Sequence, residues 1–222
     1  MKLQETLDAF TAELIASGKI PKDVVKGLKE AIAEQVASGQ ADLALKAGKP
    51  APAFTLSDAD GNRVSSVELL SRGPLVVSFY RGVWCPYCNI ELQALEAVRE
   101  DIEARGASLV AISMQTAANS RKSSRENEVR FPILVDSAGH LAAQFGLRYS
   151  LSPLTIQLYK TLGNDLQAIN GEDSWTLPMP GRYVIGRDGI VVHAEINPDY
   201  TQRPEPSDLL PILDHLKHRD AA

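Results

Sequence analysis

Apolar positions recur along the first part of the chain with helical spacing. Leu3, Leu7, Phe10 and Leu14 lie 4, 3 and 4 residues apart, and Val25, Leu28, Ile32 and Val36 follow a similar rhythm. Gly18 and Pro21 separate the two stretches and Gly39 closes the second. Residues 1–45 therefore read as a helical extension, two helices with one apolar face each, packed on the body of the protein. The run GKPAPA at 48–53 is a linker, and the body is expected to span residues 46–222.

Beyond the linker the rhythm changes. FTL at 54–56 and RVS at 63–65 flank the turn-rich DADGN, which predicts a hairpin. LVVSFY at 75–80 is nearly all apolar, as a strand buried on both faces requires. Leu92, Leu95, Val98 and Ile102 carry helical spacing from Cys88 to Arg105, where Gly106 supplies a stop. Strands follow at 108–113 and 132–136, with helices at 118–128 and 138–146. Strands at 182–186 and 190–196 flank Arg187-Asp188-Gly189, a hairpin turn, and a last helix covers 207–218. Residues 147–178 show no clear period. Strand, crossover helix and strand, then a hairpin and helix, predict an α/β protein with a central mixed sheet flanked by helices, thioredoxin-like by pattern.

Composition changes this picture little. The chain has 222 residues, 44% hydrophobic and 23% charged, and carries a formal net charge of −5. That charge argues against nucleic acid or an anionic membrane as partner. No apolar run reaches the length of a membrane span, and acids interrupt the N-terminal apolar positions, so a cytoplasmic protein without a signal peptide is expected.

The chemistry concentrates in FYRGVWCPYCNIE at 79–91, which holds both cysteines of the chain. Cys85 and Cys88 sit where the apolar strand gives way to a helix, with Pro86 suited to the first helical position. Free backbone N–H groups and the positive end of the helix dipole lower the pKa of a thiol placed there. Arg81 adds positive charge nearby, and Trp84, Pro86 and Tyr87 offer apolar cover. Helical residues i and i+3 have Cβ atoms roughly 5–6 Å apart, against about 3.8 Å in a disulfide, so a small adjustment of the first turn lets the pair cycle between dithiol and disulfide. Half a zinc site and a pair of buried structural thiols are the competing readings; His140, His193, His215 and His218 supply no second cysteine pair, and no metal or cofactor is expected.

From about Lys46 to about Glu205 the sequence resembles the peroxiredoxins, in particular the peroxiredoxin-like AhpC/TSA-type proteins. GKPAPAFTLSDADGNRVSSVELLSRGPLVVSFYRG is similar to the family's entry hairpin and first core strand, and FPILVDSAGHLAAQFGL to a later strand and helix. The family site has a proline, a threonine four residues on, and the peroxidatic cysteine three after that. Laid from Tyr80, these positions hold Arg81, Cys85 and Cys88, and Glu91 matches the glutamate that often follows. The family's arginine before the late strand falls on Pro180, with Arg182 two residues later.

The resemblance implies a thiol peroxidase acting on hydrogen peroxide or organic hydroperoxides. Cys88 would attack, Cys85 would resolve through an 85–88 disulfide, and a thioredoxin- or glutaredoxin-like protein or glutathione would reduce it. A homodimer fits this picture. Arg81 and Arg182 are the candidates to replace the missing arginine. Trp84, Cys85 and Pro180 also match the WCxxC and cis-proline of thioredoxins, which implies a thiol–disulfide oxidoreductase with an exposed Cys85 as nucleophile and a cis bond before Pro180. A non-catalytic redox-sensing module is the third reading.

Overall fold

The structure, a computed structural model, describes residues 2–220. Two helices come first, α1 (Leu3–Ala16) and α2 (Lys22–Ala37), separated where Gly18 takes a left-handed φ of 65°. The hairpin β1 (Thr55–Asp58) and β2 (Arg63–Ser65) follows, its turn held by Asp58, whose carboxylate accepts from the backbone N–H groups of Asp60 and Asn62. After α3 (Ser66–Arg72) come β3 (Leu75–Phe79), α4 (Pro86–Ala97), α5 (Arg99–Ala104), β4 (Ser108–Ser113), α6 (Ala117–Glu126), β5 (Ile133–Val135) and α7 (His140–Gln144).

Residues 147–178, without a period in the sequence, form β6 (Arg148–Ser150), α8 (Pro153–Thr161), α9 (Leu166–Asn170) and β7 (Thr176–Pro178). These elements are too short for a period to show; β6 and β7 pair only with each other, as a separate two-stranded sheet. The late hairpin β8 (Gly181–Ile185) and β9 (Val191–Ile196) and the final helix α10 (Leu209–Asp220) stand where the pattern put them.

The main sheet is mixed, with strand order β2-β1-β5-β4-β3-β8-β9. β3 lies at its heart, parallel to β4 and antiparallel to β8, with Val77 opposite Val110 on one side and Tyr183 on the other. All five of its residues are buried, as its apolar run requires. Alternation divides them between two cores. Val76 joins Leu92, Leu95, Ile102 and Leu213 on the side of α4, α5 and α10, while Leu75, Val77 and Phe79 face Leu141 and Phe145 of the α7 region.

Three expectations need correction. The helix read as continuous from Cys88 to Arg105 breaks at Val98, whose φ of −107° and ψ of 5° end α4 and open α5; no glycine or proline marks the break. The bond before Pro180 is trans, and no cis peptide occurs among the described residues. Only Met179 and Pro180 separate β7 from β8, so the chain runs on without a tight turn, and the ordinary preference for trans prevails. Cys85 is not exposed: it is buried, as is Cys88.

The N-terminal helices contribute to that cover, α1 by packing and α2 from across a cavity that Cys85 lines. Leu3 and Leu7 of α1 enter the same core as the two cysteines, and Phe10 meets Tyr87 edge-on at 5.5 Å between centroids. α2 packs on α8, where Gly27 lets the two approach; a Cβ there would lie 2.9 Å from Leu158. Among the described residues no helix is long and apolar enough to cross a membrane.

Candidate active site

The segment joining β3 to α4 carries the site. Its conformation is set by buried side chains that the local sequence does not advertise. Gln115, after β4, accepts the Val83 N–H through Oε1 at 2.9 Å and donates through Nε2 to the Tyr80 hydroxyl at 2.7 Å. Asn89 reaches back from α4 to the Val83 carbonyl at 2.8 Å. Gly82 adopts a φ of 143°, and a Cβ there would stand 2.7 Å from the Trp84 indole nitrogen, so glycine is required where Trp84 folds over the turn.

Cys85 is the N-cap residue of α4 with extended backbone (φ −96°, ψ 107°), Pro86 occupies the first turn, and Cys88 lies within it. Both thiols are free. Arg81, 1% exposed, directs Nη1 to the Cys85 sulfur at 3.6 Å. Its guanidinium lies 3.8 Å from the ring centre of Tyr200, 4.6 Å from Trp84 and 5.3 Å from Tyr159, and it donates to the Tyr159 hydroxyl. Aromatic faces thus hold a buried cation that forms no salt bridge among the described residues.

Cys88 has its own cation. Arg203, 6% exposed, places Nη2 3.7 Å from the Cys88 sulfur while its Nε donates to Glu91 at 2.5 Å. Sequence reasoning passed over Arg203, which lies far from the cysteines in the chain and in a stretch without periodicity. It treated Glu91 as a family match; the structure gives Glu91 the task of fixing Arg203. Arg182, offered as a source of charge, touches neither thiol. Its Nε pairs with Glu195 at 2.6 Å, and its Nη2 donates to the carbonyls of Pro204 and Glu205 at 3.3 and 3.2 Å. It stays buried away from the thiols because Glu195, its register partner on β9, captures it.

The two thiols are pushed in opposite directions. Burial opposes charge on Cys85, but the hydrogen bond from Cys88 and the guanidinium charges of Arg81 and Arg203 overcome it and hold that thiol well below its usual range. Burial, together with its hydrogen bond to Cys85 and the Cys85 charge, pushes Cys88 up, against the pull of Arg203 and Arg81. Negative charge is therefore favoured on Cys85 over Cys88.

A cavity of about 370 Å³ is lined by Cys85, Arg81, Trp84 and Tyr87 and by Leu14, Val25, Leu28 and Ile32 from the N-terminal helices. Cys88 does not line it. Pro180 belongs to a different cavity, with Glu91, Arg182 and Arg203. Of the residues singled out from the sequence, the structure therefore gathers Cys85, Cys88, Arg81 and Trp84, and leaves Pro180 and Arg182 apart. Among the described residues no cluster of histidine, cysteine and carboxylate side chains has the make-up of a metal site.

A dithiol at the N-terminus of the helix following a central strand of such a mixed sheet defines a protein of the thioredoxin fold. Residues 47–194 match the AhpC/TSA family, and the chain belongs to that family as a peroxiredoxin-like protein. A Mycobacterium tuberculosis (strain ATCC 25618 / H37Rv) protein bearing a peroxiredoxin name is 31% identical over 107 residues, 48% of this chain and 70% of that one. The thiol-disulfide oxidoreductase ResA of Bacillus cereus (strain ATCC 10987 / NRS 248) is 24% identical over 132 residues, 59% of this chain and 73% of its own. Among solved structures, the peroxidoxin BcpB of Mycobacterium tuberculosis superposes with a TM-score of 0.61 at 23% identity, covering 78% of this chain and 97% of that one. Neither N-terminal helix nor Arg203 falls within the family match.

Proposed function

We propose that the protein is a thiol peroxidase that reduces organic hydroperoxides through a Cys85/Cys88 dithiol–disulfide cycle. The observation that carries this reading is the Cys85 sulfur on the wall of an apolar cavity, 3.6 Å from the buried guanidinium of Arg81. Hydrogen peroxide fits the same chemistry, but an apolar lining favours a substrate with a hydrocarbon body.

The steps follow from the placement of charge. The Cys85 thiolate attacks the outer oxygen of the hydroperoxide, the O–O bond breaks, and the alkoxide takes a proton from solvent, replacing the one released when Cys85 ionised, and leaves as the alcohol. Cys85 becomes a sulfenic acid. Arg81 offsets the negative charge that develops on the departing oxygen. The Cys88 sulfur then attacks the sulfenic sulfur, and water leaves as the 85–88 disulfide forms. Two thiols of a reductant restore the pair and end as a disulfide themselves. Because the cysteines lie beneath α1 and α2, a small thiol such as glutathione suits the last step better than a folded dithiol protein. A dithiol kept free for repeated oxidation fits the reducing cytoplasm.

Family register favours Cys88 as the first thiol to react, whereas access and charge favour Cys85. The thioredoxin-like reading shares the Cys85 nucleophile but needs an exposed sulfur to meet a protein disulfide. The test is treatment of Cys85→Ser and Cys88→Ser with cumene hydroperoxide in the presence of a sulfenic-acid trap, read by mass spectrometry. Cys88→Ser should trap the sulfenic acid at Cys85, and Cys85→Ser should lose rapid reaction. A trapped sulfenic acid at Cys88 in Cys85→Ser, formed at wild-type rate, reverses the order. No fast oxidation by any peroxide removes the peroxidase reading.

A further inference from the structure

We propose that Arg203 is a catalytic residue of the second step, stabilising the Cys88 sulfur as it gives up its proton and closes the disulfide, and that α1 together with Arg182 exists in part to hold it there. The inference rests on the peroxidase reading above.

The two steps of the cycle ask for negative charge on different sulfurs at different times. Arg81 stands beside Cys85 at 3.6 Å and Arg203 beside Cys88 at 3.7 Å, so each sulfur has one guanidinium. In the resting pair Cys85 is the sulfur on which negative charge is favoured. Once Cys85 is a sulfenic acid its charge is gone, and with it the repulsion that opposed ionisation of Cys88. Arg203 then faces a sulfur that must become a thiolate to attack. The Cys88 proton leaves with the sulfenic oxygen as water, and the new S–S bond takes the Cys88 electron pair.

Arg203 is secured from several directions. Glu91 takes its Nε, leaving Nη2 for the sulfur. Its backbone N–H donates to Gln4 Oε1 at 2.8 Å, and Gln4 Nε2 donates to the Thr201 carbonyl at 3.3 Å. Glu205 accepts the Leu3 N–H at 2.7 Å, which satisfies a free donor at the start of α1 and suits the positive end of that helix. Arg182 holds the next two carbonyls, those of Pro204 and Glu205. A segment of five residues is thereby pinned between α1 and β8 with its one guanidinium aimed at Cys88.

The experiment compares wild type, Arg203→Lys, and the double variant Arg203→Met/Glu91→Gln, which avoids stranding a buried carboxylate. Stopped-flow mixing with cumene hydroperoxide, quenched with a sulfenic trap and resolved by mass, gives the rates of sulfenic-acid formation and of disulfide closure separately. Loss of a charge-assisted contact should slow closure by about 10- to 100-fold and lengthen the life of the sulfenic acid, with a much smaller effect on the first step. Arg203→Lys should recover part of the closure rate. Closure at wild-type rate in the double variant, or an equal slowing of both steps, overturns the proposal. A readout without peroxide separates it from the peroxidase reading: in a Cys85→Ser background, alkylation of Cys88 by iodoacetamide should also slow about tenfold when Arg203 is lost, and an unchanged rate overturns it.

Discussion

Arg81 and Cys85 face each other across one turn of chain, with Nη1 3.6 Å from the sulfur and three aromatic rings around the guanidinium. The cation has no carboxylate partner among the described residues, so the thiolate is its natural counter-charge.

That pairing fixes a pH dependence. The Cys85 thiol is held down to about 6, so its thiolate should dominate at neutral pH and fade as pH falls below that value. Removing a neighbouring positive charge favours the protonated form, and Arg81→Met should move the midpoint upward by about one unit or more, roughly 1.4 kcal/mol. Iodoacetamide alkylation of Cys85 from pH 4 to 10, located by mass spectrometry, checks both statements; a midpoint unmoved by the substitution refutes the second.

Substrate choice should respond to the cavity wall. Leu28→Trp adds bulk to the cavity wall from α2, a helix that carries neither a cysteine nor an arginine of the site. Reduction of cumene hydroperoxide should fall by about tenfold, an effect expected of steric loss in an apolar pocket, while hydrogen peroxide turnover stays within about twofold. Equal effects on both peroxides would show that the cavity does not receive the substrate.

Cover over the site depends on α1. Leu7 is fully buried in the core that contains both cysteines, and Leu7→Ala should cost about 2–5 kcal/mol in denaturant unfolding. Tyr87 loses a neighbour when α1 loosens, because Thr11 hydrogen-bonds its hydroxyl at 2.9 Å. Faster reaction of the dithiol with a bulky aromatic disulfide should accompany the loss of stability.

Gly82→Ala tests the turn. Its φ of 143° and the nearby Trp84 indole both oppose a side chain, so about 1–3 kcal/mol of destabilisation is expected, with a changed tryptophan fluorescence spectrum. An unaltered spectrum and full stability would mean that Trp84 adjusts freely.

How far the sequence carries can be judged residue by residue. β3 was legible because four of its five residues are apolar in a run too short for a helix, and α1 because Leu3, Leu7, Phe10 and Leu14 keep their period. The site's near half was legible for a local reason: Arg81, Trp84, Cys85 and Cys88 share one turn. Its far half was not. Arg203 and Gln115 act through long-range contacts, and nothing in their immediate neighbours signals them. Arg182 illustrates the opposite error, since proximity in sequence to the family's arginine position counted for less than the carboxylate of Glu195 across the strand pair. Burial of Cys85 was hidden for a similar reason, because periodicity gives α1 and α2 an apolar face without saying what they cover.

The bond between Leu3 and Glu205 joins positions 202 residues apart, and Arg203 follows Cys88 by 115. A ribosome adding about 5–20 residues each second therefore releases the cysteines several seconds before the guanidinium that serves the second of them. During that interval the first helix lacks its Glu205 contact, and Cys88 lacks its guanidinium. The contact that serves disulfide closure is thus the last part of the proposed cycle that synthesis supplies, while the Arg81–Cys85 pair emerges within a single short stretch of chain.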